Sequence, residues 1–169
     1  MSLADDIAQA LKSVLLTTRI DIEEPRIVVP GIVTGAAYAA NDVFGAVFEI
    51  PNVARTPGGS FVMTTAMFYD LDDEGIAKTL HLFRAIPAIV PADNAAMALN
   101  DVDVRLIIPG SPVLFTTFTD YANNQTSTVS PTLYGRCNPN TTSIWGLLET
   151  EGADNISAIP EIAFVVARD

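Results

Sequence analysis

The sequence predicts an all-β protein: a jelly-roll-like β-sandwich preceded by a short N-terminal helix or arm. Three observations carry this expectation. From Arg26 onward the chain breaks into short apolar or alternating runs. Turn-forming groups separate those runs, at Pro30-Gly31, Asn41-Asp42, Pro57-Gly58-Gly59, Pro109-Gly110, Asn123-Asn124 and Asn138-Pro139-Asn140. Many short strands between regular turns make the pattern of packed antiparallel sheets. Finally, 169 residues of which 49% are hydrophobic are enough to fill one core, so one domain with a small appendage is expected.

Residues 2–16 are predicted to form a helix. Ser2 stands at its N-cap, and Asp5 and Asp6 suit its positive N-terminal end. Leu3, Ile7, Leu11 and Val14 recur at three- and four-residue steps and form a narrow apolar stripe. Such a stripe either packs on its own domain or docks as an arm on a neighbouring subunit, which makes these four residues the interface candidates. Glu23-Glu24-Pro25 breaks the pattern and sets the expected boundary, an arm at 1–25 and a β-domain at 26–169.

Strands are predicted at Ile27–Val29, Ile32–Ala37, Val43–Ile50, Ser60–Tyr69, Thr79–Ile86, Val102–Ile108, Val113–Thr119, Val129–Arg136, Ser143–Leu148 and Ile162–Ala167. Within Ser60–Tyr69, strict alternation puts Phe61, Met63, Thr65 and Met67 on one face and Val62, Thr64, Ala66 and Phe68 on the other. Asp93–Asn100 is the one further helical turn expected, with Asp93 as its cap.

Charge excludes several classes of function. The net charge is −11 and the isoelectric point about 4.2, and Lys12 and Lys78 are the only lysines. A phosphate backbone or an anionic membrane would be repelled, so neither nucleic acid nor membrane is an expected partner. No apolar run approaches the ~20 residues of a membrane span. The mean hydropathy of +0.33 implies apolar surface beyond one core, and a self-associated state would bury it. Cys137 is the only cysteine, so no intrachain disulfide is expected. The acidic N-terminus lacks the basic-then-apolar order of a secretory signal, which points to maturation in a bacterial cytoplasm.

Little in the chain is suited to chemistry. His81 is the only histidine, and its alternation with Leu80 and Leu82 reads as a half-buried strand position. No second histidine exists to complete a zinc set with Cys137. Gly58-Gly59-Ser60 lacks the closing glycine of a nucleophile elbow and the lysine of a phosphate loop, so its glycines are expected to serve a positive φ or a bulge. Arg55 beside them is expected to tie the turn to a carboxylate or carbonyl.

Asp70-Leu71-Asp72-Asp73-Glu74-Gly75 matches the first six positions of a calcium loop, but the twelfth is His81 instead of a bidentate glutamate. An acidic solvated hairpin is the better reading. Trp145, Phe115, Phe118, Tyr121 and Tyr134 are the candidates for a sugar platform, although core or interface positions suit them better. The Asn-x-Ser/Thr matches at Asn124, Asn140 and Asn155 carry little weight without a secretory context. No catalytic residue, cofactor or metal is therefore expected; the function is expected to be binding to a partner surface.

One stretch is more specific. Tyr38, Asp42, Val43 and Gly45, followed by Asn52, Ala54, Arg55, Gly58, Gly59 and Ser60, stand in an order that resembles a family of small tailed-phage virion proteins encoded beside the major capsid protein. The likeness continues through an acidic turn near Asp70, Leu80-His81-Leu82-Phe83 with Pro87 after it, Asp93-Asn94-Ala95-Ala96, Tyr134-Gly135 and a closing apolar strand ending in Asp169. It spans roughly residues 35–169, and it rests on order and spacing because each motif is short.

The resemblance implies an all-β capsid decoration (cement) protein, and the acidic balance would suit the capsid exterior better than its DNA-facing interior. Such a protein would bind the major capsid protein and itself, as a homotrimer, and would bring no catalytic residues. The leading helix and the stretch up to Pro30 depart from the family pattern. A tail or head-tail junction subunit and a carbohydrate-binding β-sandwich module are the alternatives.

Overall fold

A computed structural model describes residues 21–88 and 90–168 of the chain. The described part is all-β, with thirteen strands and one short helix. The strands are β1 (Asp21–Glu23), β2 (Arg26–Val28), β3 (Ala37–Tyr38), β4 (Val43–Ile50), β5 (Ser60–Asp70), β6 (Lys78–Phe83), β7 (Val113–Phe115), β8 (Thr119–Asp120), β9 (Gln125–Val129), β10 (Leu133–Arg136), β11 (Ile144–Thr150), β12 (Asp154–Asn155) and β13 (Glu161–Arg168). Helix α1 is Asp101–Val104.

A seven-stranded antiparallel sheet is built around β5, which pairs with β13 on one side and with β9 and β10 on the other; β1 and β2 lie outside β13, and β8 outside β9. A four-stranded sheet runs β4-β11-β6-β7, and β12 pairs with β3 in a separate two-stranded sheet. The two large sheets share one core. Phe44, Phe48, Ile50, Leu80, Leu82, Phe115 and Leu148 come from the four-stranded sheet, and Phe61, Met63, Phe68, Ile162, Phe164 and Val166 from the seven-stranded one. The Phe68 and Phe115 rings meet across the gap at 5.7 Å. Each such phenylalanine, fully removed from water, contributes on the order of 2–3 kcal/mol by area.

Two bulges correct simple alternation. In β5, Val165 pairs with Thr65 but Val166 pairs with Met63, so Thr64 is an extra residue. The strand changes face there: Phe61 and Met63 point into the core before the bulge, and Ala66, Phe68 and Asp70 after it. In β4, Gly146 pairs with Phe48 and Leu148 with Phe44, leaving Gly45, Ala46 and Val47 opposite Leu147 alone. Gly45 has φ +86°, and a Cβ there would meet the Pro30 carbonyl oxygen at 2.6 Å, so only glycine fits.

A lobe between Arg84 and Ile108 covers the outer face of the four-stranded sheet. Val90, Met97, Leu99, Leu106 and Ile107 pack over Val43, Phe83 and Leu147 in a second, smaller core, and Trp145 joins them. Two predicted elements in this lobe are overturned. Asp93–Asn100 is not helical, because the Asp93 carboxylate accepts from the Tyr38 hydroxyl at 2.9 Å and from the Gly45 N–H at 2.7 Å. Those contacts with distant residues win over local capping. Val102–Ile108 is not a strand: the Asn100 side chain accepts from the Val102 and Asp103 N–H groups and starts α1, after which Ile107 makes only a single bridge to Phe83.

Most of Ile32–Ala37 is irregular, with a turn at Thr34-Gly35 and β3 confined to Ala37–Tyr38. Val113–Thr119 splits into β7 and β8, and Val129–Arg136 is divided between β9 and β10. Asp21–Glu23, from within the expected arm, pairs with Arg168–Val166 as an edge strand of the large sheet. The interface candidates Leu3, Ile7, Leu11 and Val14 lie outside the described residues.

Candidate functional site

An open cleft of roughly 590 Å³ lies at the end of the large sheet where β5 begins. Its floor and walls come from β5 (Phe61), β10 (Tyr134, Arg136), the end of β13 (Arg168) and the foot of the lobe (Arg84, Ile108). This volume is within the range of about 300–1,000 Å³ that small ligands or partner side chains occupy. Three of the nine Lys and Arg residues of an acidic chain line it. Arg168 ion-pairs with Asp21 and Glu23, whereas Arg84 and Arg136 have no ion-pair partner among the described residues. Tyr134 is 67% exposed, an aromatic ring presented to solvent at the cleft.

A shallower depression adjoins it and shares Ser60 and Arg136. It contains Arg55, Gly58 and Gly59. As expected for this turn, Gly58 has a positive φ, +73°. Arg55 reaches Asp21 at 3.8 Å, a loose pair with a carboxylate that Arg168 also contacts. The distinctive Tyr38–Ser60 stretch thus leads into the rim of the cleft.

The lobe also carries an exposed apolar surface. Ile86, Val102 and Val104 are all largely exposed. The Ala88 N–H donates to the buried Asp103 carboxylate at 2.6 Å, and the Arg84 N–H to the Leu106 carbonyl at 2.9 Å, so the two arms of the lobe run side by side. Arg84 and Ile108, at their feet, join this surface to the cleft.

The other sequence candidates are dispersed. His81 points to the outer face with Thr79 and Phe83 and contacts Glu149 at 2.8 Å. Cys137 is buried, and burial pushes its thiol up to about 11. The acidic loop is turned toward backbone donors: Asp70 accepts from the Asp72 and Gly75 N–H groups, and Asp72 accepts from Ser157 and Ala158. The loop is therefore docked on the chain between β12 and β13, more constrained than a solvated hairpin. Among the described residues, no group of three or more His, Cys, Asp or Glu is placed to hold a metal ion.

The five aromatic candidates do not form one platform. Phe115 is in the core, Phe118 packs against it, Trp145 belongs to the second core, and only Tyr121 and Tyr134 are well exposed. The arginine cleft was missed by sequence reasoning. Its arginines lie far apart in the chain, at positions 84, 136 and 168, and the only local signal was Tyr134-Gly135 beside Arg136. No protein-family model matches the chain, and no curated protein matches it.

Proposed function

We propose that this chain is a virion structural protein, a capsid decoration protein that binds and stabilises an assembled phage head by bridging subunits of the major capsid protein. The observation that carries the reading is the cleft. An acidic chain gathers Arg84, Arg136 and Arg168 around Phe61, Ile108 and Tyr134, next to the exposed apolar lobe. Arginine and aromatic anchors beside apolar surface are the groups that dominate protein–protein binding. The order of motifs from Tyr38 to Ser60 supplies the family side of the reading.

The fold is read as jelly-roll-like, because the chain crosses repeatedly between the two large sheets, from β4 to β5, β5 to β6, β7 to β8, β10 to β11 and on to β13. A homotrimer on the capsid exterior would repeat each modest contact by symmetry, so that the summed avidity is large.

The test mixes the purified full-length chain with heads that lack it. Co-sedimentation and increased resistance of the heads to heat are expected. The Arg84→Glu/Arg136→Glu double variant is expected to retain the wild-type melting temperature and to lose at least tenfold in binding. Absence of wild-type co-sedimentation would reject the proposal. Full binding by the double variant would move the contact surface away from the cleft.

A further inference from the structure

Lys78 is the one lysine among the described residues, and it lies in the core. Lysine is almost never fully buried without a reason. Its ammonium nitrogen is 2.6 Å from Asp154 Oδ2, and each of the two side chains is only 3% exposed. The Phe44 and Phe68 rings flank the nitrogen, at 4.8 and 5.8 Å from their centroids. The Ile76 carbonyl accepts a further hydrogen bond from it at 2.9 Å and fixes its direction. Lys78 comes from β6 and Asp154 from β12, 76 residues apart in the chain.

We propose that Lys78 and Asp154 condense into an intramolecular side-chain amide, with Glu74 moving the protons. The Nζ lone pair attacks Asp154 Cγ, a carbon–nitrogen bond forms, and one carbon–oxygen bond of the carboxyl breaks. The departing oxygen leaves as water, carrying one hydrogen from the amine and one from the neutral carboxyl. No oxidant, metal or cofactor is needed for the balance. A nitrogen 2.6 Å from Oδ2 is held next to the carboxyl group, so the two reactants are already paired before the step.

The surroundings favour the neutral amine that condensation requires. Burial lowers the Lys78 amine from its ordinary value, against the pull of Asp154, Asp70 and Glu74. Glu74, though exposed, is raised by partial desolvation and by the adjacent Asp154. Asp154 Oδ1 is buried and has no donor among the described residues. The Glu74 carboxyl neighbours Asp154 and is the group placed to pass a proton to it during the step. Glu74 is itself exposed, with the Asn155 N–H donating to its carboxylate, so it links the buried pair to solvent and gives the released water a way out.

The experiment is intact mass spectrometry of the denatured, purified full-length chain, followed by fragmentation of its proteolytic digest. The chain is expected to be lighter than its sequence by one water molecule, after allowance for removal of the initiator methionine, and the digest to contain a branched peptide joining Lys78 to Asp154. Glu74→Gln, at an exposed position, is expected to keep the wild-type circular dichroism and a cooperative melt while most of the protein returns to the full sequence mass. Asp154→Ala should show the full mass as well. A wild-type chain of full sequence mass that yields unbranched Lys78 peptides overturns the proposal. If Asp154→Ala does not fold, the wild-type mass and the Glu74→Gln variant still decide it. A Glu74→Gln chain as light as the wild type would remove Glu74 from the step.

Discussion

Strand β6 carries two polar contacts of nearly equal length on opposite faces. Toward the core, Lys78 meets Asp154 at 2.6 Å with 3% exposure on each side. Toward the lobe, His81 meets Glu149 at 2.8 Å with 14% exposure on each side. The difference is access to water. Where water can reach a group whose partner has been lost, it replaces part of the interaction. Where it cannot, the remaining group carries the full cost of desolvation. The geometry of a contact therefore says less about its energetic role than the medium around it.

The sharpest way to break this comparison is to remove one partner from each pair. Asp154→Ala leaves the Lys78 amine among Phe44 and Phe68, and it is expected to destabilise the chain by about 3–5 kcal/mol in urea denaturation. A covalent link would add to that loss. A cost under about 1 kcal/mol would show that water enters this end of the core.

A smaller effect separates the pairs by pH. In Glu74→Gln, where the amine remains free, the lowered Lys78 value means that the folded state binds fewer protons than the unfolded chain below the ordinary lysine value of about 10.4. Stability therefore rises with pH across the interval between the lowered folded value and that ordinary value. Tyr38 acts in the opposite direction at the top of the range. Burial and its hydrogen bond to Asp93 hold its phenol well above the ordinary value, so stability is lost once the unfolded phenol ionises. The crosslinked wild type has no amine to titrate and is expected to show no such rise. Urea midpoints up to about pH 9, below the ordinary phenol value of about 10, compare the two proteins without the Tyr38 effect.

The smallest effect is expected from His81→Ala, at less than about 1 kcal/mol, as for a partly solvated pair. If His81→Ala costs as much as Asp154→Ala, burial is not what distinguishes the two faces.

The same contrast explains what the amino-acid pattern revealed. Val43–Ile50 agrees with β4, and Ser60–Tyr69 with β5 to within one residue, because long runs with β-branched and aromatic residues report directly on strands. Thr64 gave no warning of its bulge, since the register of β5 is set by β13 a hundred residues later. Val102–Ile108 has the alternation of a strand, yet Asn100 caps a helical turn there. Asp93 has the composition of a cap, yet Tyr38 and Gly45 engage it. In both cases a side-chain oxygen committed to particular N–H or O–H groups outweighed the pattern. The cleft and the buried lysine were invisible for a related reason. Each is assembled from residues separated by many tens of positions, and sequence shows Lys78 only as one of a few scattered positive charges.

Asp93 has one further consequence. Through a single carboxylate it fastens the segment between Arg84 and Ile108 to the phenol of β3 and to the bulge of β4. The same stretch is fastened by backbone bonds from Asn94 and Met97 and to Ala95, so the cover opens as a cooperative unit and not residue by residue. In native-state hydrogen exchange, the protected lobe amides, such as those of Val104 and Leu106, are expected to share one opening free energy below that of β5 and β13. Asp93→Asn should lower it for all of them together and leave the central strands unchanged. The molecule would then have two stability levels, a permanent sandwich and a detachable lid over its outer face.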